Sequence, residues 1–89
     1  MKKIRMFTAE WCPHCTNAKG WLKELLEEEP KYRELEIERI DIDTQKEKLS
    51  DVDFYYVPTF YVEDEKIFEG VPSKEIIQEV LDRAATETR

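Results

Sequence analysis

Two cysteines three residues apart, Cys12 and Cys15, stand where an alternating apolar stretch gives way to helical spacing. Lys3 to Thr8 alternates as a short strand. After a brief loop through Glu10 and Trp11, the apolar residues Cys15, Ala18, Leu22, Leu25 and Leu26 recur at intervals of three and four, until Pro30 stops the pattern. Pro13 suits the first helical position, because its fixed φ is already helical and its missing N–H is not needed there. Cys12 is thereby predicted as the helix N-cap, with Cys15 one turn in, on the apolar face. A strand that delivers a dithiol to the start of a helix is a strong constraint on both fold and chemistry.

The rest of the chain supplies the partners this first unit needs. Leu35 to Asp43 reads as a second strand, with Leu35/Ile37 and Ile40/Ile42 out of phase, which implies a bulge or burial on both faces. Thr44-Gln45-Lys46-Glu47 has the pattern of a capping box and predicts a short helix from Gln45 to Asp51. The aromatic run Phe54-Tyr55-Tyr56-Val57-Pro58 leads into a third strand, Thr59 to Val62, and the polar turn Glu63-Asp64-Glu65 returns the chain as a fourth, Lys66 to Glu69. Gly70 breaks the hairpin, Ser73 can cap a last helix, and Ile77, Val80, Leu81 and Ala84 give that helix a buried face.

The predicted order is β-α-β-α-β-β-α, an α/β fold with a mixed four-stranded sheet packed by three helices. Strands one and two should be parallel through a right-handed crossover, and the terminal hairpin antiparallel. If strand three lies antiparallel beside strand one, Cys12 and Pro58 meet on one rim. The 89 residues hold one hydrophobic core, with no linker or repeat to mark a boundary, so residues 1–89 are expected to form a single domain and a monomer.

Composition excludes several functions. With 21 acidic against 14 basic residues and a net charge of −7, the chain repels a nucleic-acid backbone and anionic lipid alike. Ile4, Met6 and Phe7 are interrupted by Arg5, which is not the pattern of a secretory leader, and no window approaches the roughly 18 apolar residues of a membrane span. A cytoplasmic location is expected, where thiols meet a reducing environment.

Two thiols at this spacing can close a disulfide without unfolding anything. Backbone N–H groups at the helix start, together with the positive end of its dipole, favour a thiolate at Cys12 and make it the expected nucleophile. Cys15, buried one turn further on, should stay a neutral thiol until it resolves a mixed disulfide. The chemistry needs no cofactor and no metal. His14, when protonated, would support the thiolate further and raise the oxidising power of the pair. An aromatic–Val–Pro–Thr segment on the same rim suggests a cis bond before Pro58, which would offer the Val57 backbone to an extended substrate. Trp11 can shield the thiol and supply an apolar contact, Trp21 fits core or half-exposed packing, and Tyr55 and Tyr56 suit core or groove equally.

Phe7-Thr8-Ala9-Glu10-Trp11-Cys12, followed by Pro13-His14-Cys15, resembles the active-site segment of the thioredoxin family, and Val57-Pro58-Thr59 resembles its cis-proline motif. The likeness spans essentially the whole chain, and the short N-terminus resembles glutaredoxins and the small glutaredoxin-like thioredoxins. It implies a thioredoxin-like fold, nucleophilic attack by Cys12, resolution by Cys15, and a substrate groove at Trp11, Val57, Pro58 and Thr59. Met6 stands where thioredoxins carry a buried Asp, and Ala9 and Glu10 where many glutaredoxins carry a basic residue for glutathione. The resemblance therefore implies a thiol–disulfide oxidoreductase that reduces disulfide-containing proteins and is itself reduced by a thioredoxin-reductase-like flavoprotein. A glutathione-coupled glutaredoxin is the alternative. In other classes, Cys12 and Cys15 could serve a metal or iron–sulfur centre, though one histidine and no third cysteine leave such a site short of ligands, or the chain could be a partner-binding domain with vestigial cysteines.

Overall fold

Alternation along β1 (Ile4–Thr8) sends Ile4 and Met6 to one side of the sheet and Arg5 and Phe7 to the other. The computed structural model describes residues 3–86. After β1 come α1 (Pro13–Glu28), a 3₁₀ turn over Pro30–Glu34, β2 (Ile37–Asp41), a shorter 3₁₀ turn over Lys46–Lys48, β3 (Thr59–Val62), β4 (Glu65–Glu69) and α2 (Lys74–Thr86). The sheet order is β2-β1-β3-β4, with β1 and β2 parallel and the other pairs antiparallel. This is the mixed four-stranded sheet expected, with β3 beside β1.

Both helices cover the face that carries Ile4, Met6, Phe60 and Val62. Ala18, Leu22 and Leu25 of α1 and Ile77, Val80, Leu81 and Ala84 of α2 meet there in the main core, and Trp21 packs at its margin. The other face buries Phe7, Ile40 and Tyr61 beneath Leu49 and Val52 from the long β2–β3 connection. Phe54 stacks on Phe7 at 5.9 Å, and the Arg5 guanidinium lies 5.3 Å from the Tyr61 ring centre. Burying each large apolar side chain contributes about 1.5–3 kcal/mol relative to leaving it exposed, so the two faces together hold the sheet rigid beneath the loops at its rim.

The phase conflict in β2 resolves as burial on both faces. Its pairing with β1 is continuous from Ile4↔Ile37 to Thr8↔Asp41; Ile37 joins the helical side, whereas Ile40 and Ile42 join the other. The irregularity lies in β4 instead, where the pairing shifts between Phe60↔Phe68 and Tyr61↔Lys66. The extra residue, Ile67, packs with Phe68 against the main core.

The helix expected at Gln45–Asp51 is only the 3₁₀ turn Lys46–Lys48, so the described residues contain two α-helices rather than three. The capping box does not form, and Asp41 holds one of its two backbone donors, the Thr44 N–H. Asp41 Oδ1 accepts the N–H groups of Asp43 at 2.8 Å and Thr44 at 3.1 Å, and the Gln45 side chain bonds back to the Asp41 N–H. Gln45, with φ −119° and ψ 48°, then precedes the turn without a side-chain cap bond.

Pro30 stops α1 as expected, but it also opens the turn that buries Tyr32. Tyr32 hydroxyl donates to Asp82 of α2, and Arg33 returns to α1, donating to the carbonyls of Leu26 (2.7 Å) and Glu27 (3.1 Å). Those are among the last carbonyls of the helix, which have no partner within it. Ser73 caps α2 through the Ile76 N–H at 3.2 Å. No helix among the described residues is long and apolar enough to cross a membrane.

Candidate active site

The turn from β1 to α1 sets the first cysteine. Cys12 N–H bonds to the Ala9 carbonyl at 3.2 Å, and Cys12 is the N-cap of α1, with φ −95° and ψ 110°. Its Sγ accepts the Cys15 N–H at 3.2 Å. Pro13, at the start of the helix, contributes no N–H, so the Cys15 amide aims at the sulfur without competition from that position.

The second part arrives with β3. Because Phe7 pairs with Thr59, the end of β1 and the beginning of β3 lie on one rim. The bond between Val57 and Pro58 is cis, and the Cys12 thiol donates to the Val57 carbonyl at 3.4 Å. Ala9, Cys12, Cys15 and Val57 form one buried cluster, flanked by Ile42 and Phe54. The cysteines are free thiols.

A groove of about 340 Å³ opens over this cluster. Trp11, Pro13 and His14 line it from the start of α1, and Tyr55, Tyr56 and Val57 from the loop before β3. Cys12 lines the groove and Cys15 does not. Three of the aromatic rings are free to meet a ligand: Trp11 is 67% exposed, Tyr55 85% and Tyr56 69%. The two tyrosines thus belong to the groove and not to the core.

The two sulfurs differ in environment as well as access. Burial, before any other cause, pushes the Cys15 thiol up to about 12; the neighbouring Cys12 sulfur adds to the rise, and a backbone hydrogen bond from Ala9 opposes it. Cys15 is a neutral thiol at physiological pH. The Met6 side chain lies fully buried in the helical-side core.

Each residue singled out from sequence has a definite place. Trp11, Cys12, Pro13, His14 and Val57 converge on the groove, with Pro58 behind Val57 and Cys15 beneath Cys12. Thr59 is different: it is fully buried, and its hydroxyl donates to the Tyr56 carbonyl, so it supports the loop from below rather than facing the groove. Two acids went unnoticed in the sequence. Asp43 accepts the Trp11 indole N–H at 2.9 Å, and Glu69 accepts the backbone N–H groups of Tyr55 and Tyr56. Asp43 follows a strand parallel to β1, and Glu69 pairs with Thr59, so strand register is the signal that could have found both. Among the described residues no three His, Cys, Asp or Glu side chains converge as a metal-binding group.

The family model described as Thioredoxin matches residues 2–83. A thioredoxin of Methanocaldococcus jannaschii is 33% identical over 79 residues, covering 89% of this chain and 91% of the relative. Among solved structures, the oxidised thioredoxin of Plasmodium falciparum superposes with a TM-score of 0.71 at 21% identity, over 93% of this chain and 80% of that one. Fasciola hepatica thioredoxin gives 0.68 at 24% identity, over 91% and 78%. At these identities the two structures speak to the fold; the family match and the archaeal relative speak to kinship.

Proposed function

The chain belongs to the thioredoxin family and is a thiol–disulfide oxidoreductase, and we propose that it works as a protein disulfide reductase in which Cys12 attacks and Cys15 resolves. The observation that carries this division of labour is one of access. Cys12 lines the groove and receives the Cys15 N–H at the start of a helix, whereas Cys15 is buried behind it and held protonated.

The steps follow from that geometry. The Cys12 thiolate displaces one sulfur of a substrate disulfide; a Cys12–substrate bond forms, and the departing sulfur leaves as a thiolate. Cys15 then gives its proton to the second substrate sulfur as its own sulfur attacks Cys12 Sγ. The Cys12–Cys15 disulfide forms, the Cys12–substrate bond breaks, and two electrons have passed from protein to substrate. Two of the causes that keep Cys15 protonated, the hydrogen bond with Cys12 and the charge on it, disappear once Cys12 is tied to substrate. Cys15 therefore becomes easier to ionise when its attack is required. His14 lines the groove beside Cys12, exposed to an arriving substrate.

Disulfide-containing proteins are the substrates of this family. Trp11 and Val57 form the surface on which we place them, with the buried Pro58 and Thr59 holding the loop beneath. We assign recycling to a thioredoxin-reductase-like flavoprotein in a reducing, cytoplasmic compartment, because buried Ala9 and exposed Glu10 offer no cation to a glutathione carboxylate. Insulin reduction with dithiothreitol as electron source tests the assignment. Cys12→Ser should abolish catalysis and Cys15→Ser should accumulate mixed disulfides; full activity in Cys12→Ser would exclude Cys12 as the nucleophile.

A further inference from the structure

The loop that builds one wall of the groove is gripped by a residue from the far strand of the hairpin. Glu69 closes β4 opposite Thr59. Its Oε2 accepts the N–H of Tyr55 and, at 2.8 Å, the N–H of Tyr56, while Oε1 takes the Lys66 ammonium at 2.9 Å. These donors, Tyr55 N–H foremost, hold the Glu69 carboxyl below the usual carboxylate range. Tyr56 is bound at its other backbone group too, because its carbonyl accepts the Thr59 hydroxyl. Just beyond the cis bond, the Pro58 carbonyl accepts the Gly70 N–H at 3.1 Å. The tyrosine rings are left exposed in the groove, and the next residue, Val57, places its carbonyl 3.4 Å from Cys12 Sγ.

We propose that Glu69 is the positioning residue of the substrate groove: by gripping the Tyr55 and Tyr56 amides it fixes the Val57 backbone and both tyrosine rings beside Cys12 before a substrate arrives. The inference rests on the reading of this groove as the site where a protein disulfide is bound. One carboxylate oxygen suits the task because it can accept two convergent N–H groups at once, and charge-assisted bonds are the stronger kind. Without it both amides turn to water and the loop must be ordered at the moment of binding. Cys12 keeps its own bonds to the helix start, so the loss falls on binding more than on chemistry.

Insulin reduction under saturating dithiothreitol separates these effects. Glu69→Ala should raise KM for insulin roughly tenfold, the scale of one lost charge-assisted bond, with kcat within about twofold. Glu69→Gln, which keeps an acceptor oxygen, should recover part of that loss. Lys66→Met removes the partly exposed ion pair alone and should leave KM at the wild-type value. In Glu69→Gln the amide proton resonances of Tyr55 and Tyr56 should move upfield, as their bonds to a charged oxygen weaken. Wild-type KM in Glu69→Ala, a rise in Lys66→Met equal to that in Glu69→Ala, or unmoved amide resonances would each overturn the proposal. The amide measurement needs no turnover, so a wild-type protein inert toward insulin would refute the reductase reading while the grip itself remained under test.

Discussion

Replacing Cys15 by Ala exposes the burial of the resolving thiol through the pH dependence of stability. Burial pushes Cys15 up from an ordinary 9.0 to about 12. In the unfolded chain the thiol loses its proton near the ordinary value, whereas the folded protein retains it. Between the two values the unfolded state therefore binds fewer protons, and stability falls as pH rises. The contribution of the buried thiol is complete below the ordinary value of 9.0 and is lost progressively toward about 12. The slope is about 1.4 kcal/mol per pH unit. At about pH 10.5, roughly 1.5 units into the window, the loss is about 2 kcal/mol. Urea unfolding of wild type and Cys15→Ala, followed by tryptophan fluorescence with a reductant present, measures it at about pH 7.5 and 10.5. The Ala variant loses packing around a buried sulfur at both values. Alkaline groups away from the cysteine pair titrate in both proteins and cancel, including Tyr32, which burial also raises. Wild type should therefore lose about 2 kcal/mol more than the variant over that interval. A difference that stays constant with pH would refute the buried, protonated Cys15.

Thr59→Val keeps the shape of a fully buried side chain but leaves the Tyr56 carbonyl without its hydroxyl partner. It should cost about 1–3 kcal/mol, read as a lower urea midpoint at unchanged slope. Asp43→Ala frees the Trp11 indole from its 2.9 Å bond; in a Trp21→Phe background the fluorescence anisotropy of Trp11 should drop, and an unchanged value would mean the bond does not hold the ring. Arg33→Ala strips the side-chain donors from the Leu26 and Glu27 carbonyls at the end of α1. It should destabilise the protein by about 1 kcal/mol and speed hydrogen exchange in the last helical turn, where Glu29 N–H bonds to Leu25.

Local signals were reliable where neighbours in sequence decide the outcome. The start of α1 at Pro13, the Cys12 N-cap, the four residues of β3 and the Ser73 cap could all be read from the chain, because a fixed proline φ, a capping side chain and an apolar period act within a turn or two. The helix expected at Gln45–Asp51 failed for a reason of the same range: Thr44 matched a capping box, but Asp41, three residues earlier, holds the Thr44 N–H that the Glu47 side chain would have taken. Tyr32 shows the opposite case. The turn after Pro30 has no strong local signal, and its tyrosine is buried because α2 supplies Asp82 and Gln78 to its hydroxyl.

What the sequence determined by itself is the reactive unit: a dithiol at a strand-to-helix turn, with one sulfur at the cap and the other on the buried side. The cap bond from the Cys15 N–H to Cys12 Sγ and the turn bond from Cys12 N–H to Ala9 lie within a few residues. Only the tertiary structure decided what the unit faces. The groove joins residues 11–14 to residues 54–57 through the antiparallel pairing of β1 with β3, and Glu69 reaches its two amides through the pairing of β3 with β4. The bulge at Ile67 shows that such register cannot be counted off the chain, since one extra residue changes which side chains share a face. The division follows from the reach of the forces: capping, proline geometry and helix period act locally, while the walls of the groove are brought together by burial of the sheet on both its faces.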